Sequence, residues 1–177
     1  GTVYLDDVSN PFTVFQPIIY NKGAYVLHML RGVVGDSIFF DIIYDYATND
    51  DLKYKLATTE QFQNISENVS GFDLGYFFDQ WIYDERYPMY YYNYKYDEVN
   101  NKAEVVINQN QGLIGWREVF EMPIKLLFTF ADDTDTTITV INSEIHELYS
   151  INFDMEVVSM ELDPDNWILK TAVFDPN

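Results

Sequence analysis

Three kinds of side chain in this sequence could make or break bonds: a tyrosine at the mouth of a helix, two histidines, and several adjacent carboxylates. Tyr20 heads the stretch YNKGAYVLHMLRGVVGD, residues 20–36. An aromatic there can pack against the following turn or present its hydroxyl to a substrate. His28 and His146 are the only imidazoles, and they lie too far apart in sequence to form the His-x-x-x-His pair of a helix-borne metal site. The run His146-Glu147-Leu148-Tyr149-Ser150 begins like such a pair. It carries serine where the second histidine belongs and falls in a segment of strand period, so His146 reads as a strand-end residue. His28 lies within a helix, off the stripe of Val26 and Leu30, and reads as an ordinary polar position. Asp50-Asp51 and Asp132-Asp133 could do acid–base work, yet in loops of so acidic a chain they read as solvated turn residues. No G-x-S-x-G, P-loop or G-x-G-x-x-G occurs, which leaves serine-hydrolase and nucleotide chemistry without support. Cysteine is absent, so thiolate nucleophiles, thiolate metal sites and disulfides are excluded.

The segments that must position these side chains change period near the middle of the chain. In residues 20–86, Gly23, Val26, Leu27, Leu30, Val33 and Val34 recur at three- and four-residue steps, predicting one helix that Gly35-Asp36 ends while capping the next. Ile38, Phe39, Ile42, Ile43 and Tyr46 repeat the pattern. After the polar break at Asn49-Asp50-Asp51, Thr58 and Gln61 have capping-box spacing at the head of a third helix, and Ser70-Gly71 ends it. Asp73 can cap a fourth, apolar on most sides through Leu74, Phe77, Phe78, Trp81 and Ile82, which belongs in an interior. Lys22 reads as a surface cation, and Gly23 as a place where a missing Cβ admits a neighbouring backbone.

From Tyr87-Pro88 onward the period is two. Tyr90, Tyr92, Tyr94 and Tyr96 alternate with Tyr91, Asn93, Lys95 and Asp97, and further apolar runs cover 102–108, 124–130, 136–141, 147–153, 156–162 and 167–173. About seven short strands with close turns predict an antiparallel β-sandwich of about 90 residues. The fold class expected is therefore α+β, a helical segment over 1–86 followed by a β-sandwich over 87–177. With only Asp84-Glu85-Arg86 between them, the halves are expected to dock rigidly. The tyrosine row is expected to be buried against a neighbour, the other possibility being an aromatic platform for a sugar or a protein.

The order of these blocks is more specific than the architecture. YNKGAYVLHMLRGVVGD, then TTEQFQNISENVSGFDLGYFFDQWIYDERYP, then strands ending in LDPDNWILK resembles the later part of the zinc aminopeptidases of the aminopeptidase N and leukotriene hydrolase superfamily, the gluzincins. In that family a tyrosine, a polar residue and Lys-Gly-Ala open a helix that ends near Leu-Gly-Asp, which matches Tyr20 to Asp36. A second block, SGxDLxxFFxxWIY, matches Ser70 to Tyr83. The resemblance implies the last helices of a thermolysin-like catalytic domain with a β-sandwich behind it.

For Tyr20 the resemblance implies a catalytic role, donating a hydrogen bond to the oxyanion that forms when a peptide carbonyl is attacked. The chemistry suits a phenol, which with an unperturbed pKa of about 10 keeps its proton near neutrality. Asn21 stands where many relatives have glutamate, a position that does not react. The resemblance further implies zinc in the full-length parent, held by HExxH and a downstream glutamate, and a Gly-x-Met-Glu-Asn segment for the substrate's free amine. Neither motif is present, so no metal ligand is expected from this chain and alone it is expected to be inactive. The expected partners are a peptide substrate and a missing N-terminal portion of the same polypeptide. The chain opens on Gly1-Thr2-Val3 without an initiator methionine, which reads as a processed product or an excised fragment.

A formal net charge of −19 works against nucleic acid and anionic membranes as partners, and no apolar run approaches the about 20 residues that span a bilayer. An acidic, cysteine-free sandwich beside a peptidase core fits a secreted or periplasmic bacterial protein. The sequons at Asn64 and Asn68 read as chance matches on a helix. The competing function is a non-catalytic β-sandwich binding module, for protein or carbohydrate, with a helical support. A bifunctional enzyme like leukotriene hydrolase is a third reading that no residue here favours.

Overall fold

The computed structural model describes residues 1–5, 7–112 and 117–176. Its contacts divide the chain into two units, Gly1–Glu85 and Arg86–Asn177.

The first unit is helical. Asn10 caps a single turn, α1 (Pro11–Val14), by accepting from the Phe12 amide at 3.0 Å. Helix α2 (Pro17–Val34) begins three residues before Tyr20, with Pro17 in the first turn, where its fixed φ is already helical and its missing N–H is not needed. It buries Lys22, Val26, Met29, Leu30 and Val34, whereas Leu27, expected on that face, is 39% exposed. Gly35, at φ 84°, turns the chain directly into α3 (Asp36–Thr48), a conformation only glycine adopts without strain. Arg31 grips Asp36 with two 2.8 Å hydrogen bonds across that turn, placing a cation in the last turn of one helix and an anion in the first turn of the next.

Helix α4 (Thr59–Ser70) opens on the expected capping box. Thr58 N donates to Gln61 Oε1 at 2.9 Å and Gln61 N to Thr58 Oγ1 at 3.3 Å. Gly71, left-handed at φ 72°, ends it. Asp73 then accepts from Gly75 N at 3.0 Å to start α5 (Gly75–Phe78), which winds into a π-helical turn over Asp79–Tyr83. Leu74, Phe77, Phe78 and Trp81 are buried as expected and centre this unit's core with Leu30 and Ile42.

Among its described residues the second unit has seven strands: β1 (Met89–Asp97), β2 (Lys102–Gln109), β3 (Met122–Phe130), β4 (Asp135–Asn142), β5 (His146–Asn152), β6 (Val157–Leu162) and β7 (Thr171–Phe174). They form two sheets ordered β5-β2-β1-β7 and β4-β3-β6. All pairs are antiparallel except β1 with β7, so the sandwich is mostly antiparallel and the chain is α+β. Buried residues alternate cleanly along β2 and β3. Register sets Tyr90, Tyr92, Tyr94 and Tyr96 opposite Gln109, Ile107, Val105 and Ala103, which places the tyrosine row on the core-facing side of β1. Tyr90 is fully buried, and Tyr94 ties the sheets together by donating to Val158 O at 2.7 Å.

One strand is shorter than its apolar run predicts. Asp163, buried at 2% exposure, follows β6 and accepts from Trp167 N at 2.9 Å, Ile168 N at 3.0 Å and Lys170 Nζ at 2.5 Å. These bonds fold residues 163–170 around the carboxylate, so β7 begins at Thr171 rather than at 167. The loop carries the chain from β6 in one sheet to β7 in the other, where β7 pairs parallel with β1.

Candidate active-site helix

Tyr20 is the fourth residue of α2 and 57% exposed, so its phenol is open to solvent in the first turn of a helix whose other side is pinned. Two residues on, Lys22 is only 7% exposed. Its ammonium donates to Gly1 O at 3.2 Å and to Asp84 O at 2.9 Å. Burial pulls its pKa below the usual lysine value, while the charges of Asp84 and Glu85 oppose the fall. Lys22 is thus an internal anchor and not the surface cation expected. The signal was present, since Lys22 precedes Val26 and Met29 at helical spacing and so falls on the apolar stripe.

That anchor belongs to a set of bonds about the π turn. Val3 N and Tyr4 N each donate to Ile82 O at 3.1 Å, satisfying a carbonyl that a terminating helix leaves open. Tyr4 and Tyr83 rings pack with centroids 5.3 Å apart. Tyr83 donates to Glu60 Oε1 at 2.8 Å, tying the turn to the start of α4. Desolvation first, and the Glu60 carboxylate second, push the Tyr83 phenol up to about 12. The bond between Tyr83 and Glu60 and the π winding had no counterpart in the sequence reading.

A cavity of about 240 Å³ opens beside α2, lined by Gly23, Leu27 and Leu30 together with Tyr46 of α3, Thr58 and Phe62 at the head of α4, and Phe78. Tyr20 leads Gly23 by three residues and Leu27 by seven, so the three share a helix face. A Cβ at Gly23 would meet nothing within 4 Å among the described residues, so none of them supplies the neighbouring backbone expected there. His28 is half-buried against the Tyr25 ring, centroids 5.6 Å apart. His146 heads β5, its Nδ1 2.5 Å from Asn108 Oδ1.

Among the described residues no group of three histidine, aspartate or glutamate side chains converges as a metal site. The described residues therefore do not fit a zinc ion. No helix among the described residues is long and apolar enough to cross a membrane.

Residues 2–81 match the peptidase family M1 domain. Over 150 residues the chain is 25% identical to "Probable aminopeptidase 2" of Sulfurisphaera tokodaii, a match covering 85% of this chain and 18% of that protein. Against "Probable aminopeptidase 1" of the same organism it is 24% identical over 152 residues, again 85% and 18%. The chain thus spans about a fifth of the length of these curated relatives. The crystal structure of Legionella pneumophila aminopeptidase A in complex with aspartic acid superposes with a TM-score of 0.82 at 14% identity, covering 100% of this chain and 20% of that one, which is a likeness of fold. The YNKGA helix and the SGFDLGYFFDQWIY block fall within or beside the matched family domain, and the paired sheets follow the same fold, so the chain is similar to the C-terminal portion of an M1-type aminopeptidase.

Proposed function

We propose that the chain is part of a zinc-dependent aminopeptidase that releases N-terminal residues from peptides, with Tyr20 donating a hydrogen bond to the carbonyl oxygen as it becomes an oxyanion. The observation that carries this reading is the pairing of an exposed phenol with a fixed helix: Tyr20 is open to solvent while Lys22, two residues on, is bonded to Asp84 O and Gly1 O. A donor held in place before charge develops favours the transition state over the ground state, because little reorganisation is left to do when the oxyanion forms. Zinc, in this reading, is held by residues outside these 177, and the chain alone does not turn over peptides.

Phe12, Phe15, Phe40, Tyr44, Tyr54 and Leu56 are exposed large apolar side chains on the helical unit. Exposed aromatics in such number support the view that another part of the same polypeptide covers this unit. The alternative of a sandwich module with an aromatic platform has less support, since the tyrosine row lies on the core-facing side of β1 with Tyr90 fully buried.

The test is an assay of the full-length protein on short peptides with free and with blocked amino termini. Release of single N-terminal residues from the free peptides alone supports the reading. Internal cleavage, or no cleavage, sinks it.

A further inference from the structure

The face of β1 opposite the tyrosine row carries a feature that peptide hydrolysis does not use. Register places Tyr91, Asn108 and His146 side by side across β1, β2 and β5 on the outer face of the sheet. There a cleft of about 450 Å³ is lined by Tyr91, Asn108, Gln109, Asn110, Ile145 and Asp175, a volume within the range of about 300–1,000 Å³ of small-ligand sites. An adjoining hollow of about 180 Å³ shares Gln109, Asn110 and Ile145 and continues past Gln111 to Arg117.

The hollow's wall is rigid and its hydrogen bonding is incomplete. Gln109 donates to Phe120 O at 2.7 Å and to Asn142 Oδ1 at 2.6 Å, and accepts from Phe120 N at 2.9 Å. Gln111, 6% exposed, donates through Nε2 to Gln109 Oε1 at 3.2 Å and to Glu118 O at 2.9 Å. Those donations fix which end of the amide is oxygen, and that Oε1 is buried with no partner among the described residues. A buried carbonyl in that state bears its desolvation cost until a donor arrives.

We propose that this cleft binds a neutral saccharide. An orphaned acceptor calls for a ligand that donates, which disfavours phosphates and carboxylates, as does a chain of net charge −19. The side-chain amides of Asn108 and Asn110 carry both donor and acceptor, the pairing that a ring of hydroxyls presents; Gln111 adds its free acceptor, and Tyr91 an aromatic ring. An extended peptide adds to a sheet edge. This sheet's edges are β5 and β7, whereas the cleft crosses the β1–β2 pair and suits a compact ring.

Titration calorimetry of the full-length protein with malto-, cello- and chito-oligosaccharides, and with a glycosylated peptide beside its bare counterpart, tests this. At least one free or peptide-borne sugar is expected to bind at millimolar concentration or below. Tyr91→Ala and Asn110→Ala should each weaken it tenfold or more, with unfolding midpoint and peptidase turnover unchanged. The free sugars and the glycopeptide arm tell a free oligosaccharide from a protein-borne glycan. The proposal is overturned if no sugar binds, if both variants bind as wild type, if only the bare peptide binds, or if a crystal soaked with the best sugar holds only ordered water at Gln111. Peptidase activity surviving any of these leaves the aminopeptidase reading untouched, because no residue of the cleft belongs to α2.

Discussion

The ammonium of Lys22 lies 2.9 Å from the main-chain oxygen of Asp84, joining the helix that carries Tyr20 to the chain as it leaves the π turn. Replacing Lys22 by methionine keeps most of the buried stem and removes the donor. Denaturant unfolding at neutral pH is expected to show a loss of about 1–2 kcal/mol. The pH dependence has a definite sign. Burial depresses the folded-state pKa below the ordinary 10.5, so in the window below 10.5 the unfolded chain holds a proton that the folded chain has shed, and stability from this group rises with pH. The gap between wild type and Lys22→Met should therefore widen as pH climbs toward 10.5. A gap that is absent, or flat with pH, would show that Lys22 is solvated.

Gly23 gives a sharper check of the cavity. Its position is helical and a Cβ there meets nothing within 4 Å, so Gly23→Ala should stabilise the protein by about 0.5–1 kcal/mol through helix propensity alone. A destabilised variant would mean that some other backbone closes on the glycine.

These two residues also mark how far the sequence could be read. Signals written within a few residues were legible: the Thr58 and Gln61 capping box, Gly35 between α2 and α3, the alternation of β2 and β3. The start of α2 was legible too in Pro17, a residue favoured in the first helical turn, although the reading began from Tyr20. The destination of Lys22 was not, because its acceptors are 21 and 62 residues away. The same holds for the tie from Tyr83 to Glu60, 23 residues apart, and for the parallel pairing of β7 with β1. For the catalytic candidate, the residue types about Tyr20 pointed to the family whose domain matches residues 2–81, while which neighbours anchor its helix was decided by contacts between distant segments.

Asp163 and Lys170 form a buried pair at 2.5 Å, with side chains 1% and 7% exposed. Asp163→Ala strands the ammonium and frees the Trp167 and Ile168 amides, and should cost about 3–5 kcal/mol. Asp163→Ala with Lys170→Met should be less damaging than the single Asp163 change, since no charge is left buried alone. Urea unfolding of wild type, both single variants and the double variant decides it: strictly additive losses would mean the pair is not coupled.

The central claim rests on the hydroxyl of Tyr20. Tyr20→Phe in the full-length enzyme removes one oxygen from an exposed side chain, so the fold should be unaffected. Steady-state kinetics on a peptide substrate should show kcat falling by about 10²–10³-fold with KM little changed, the pattern of a donor used only in the transition state. Turnover within a few-fold of wild type would contradict the account and remove Tyr20 from the reaction.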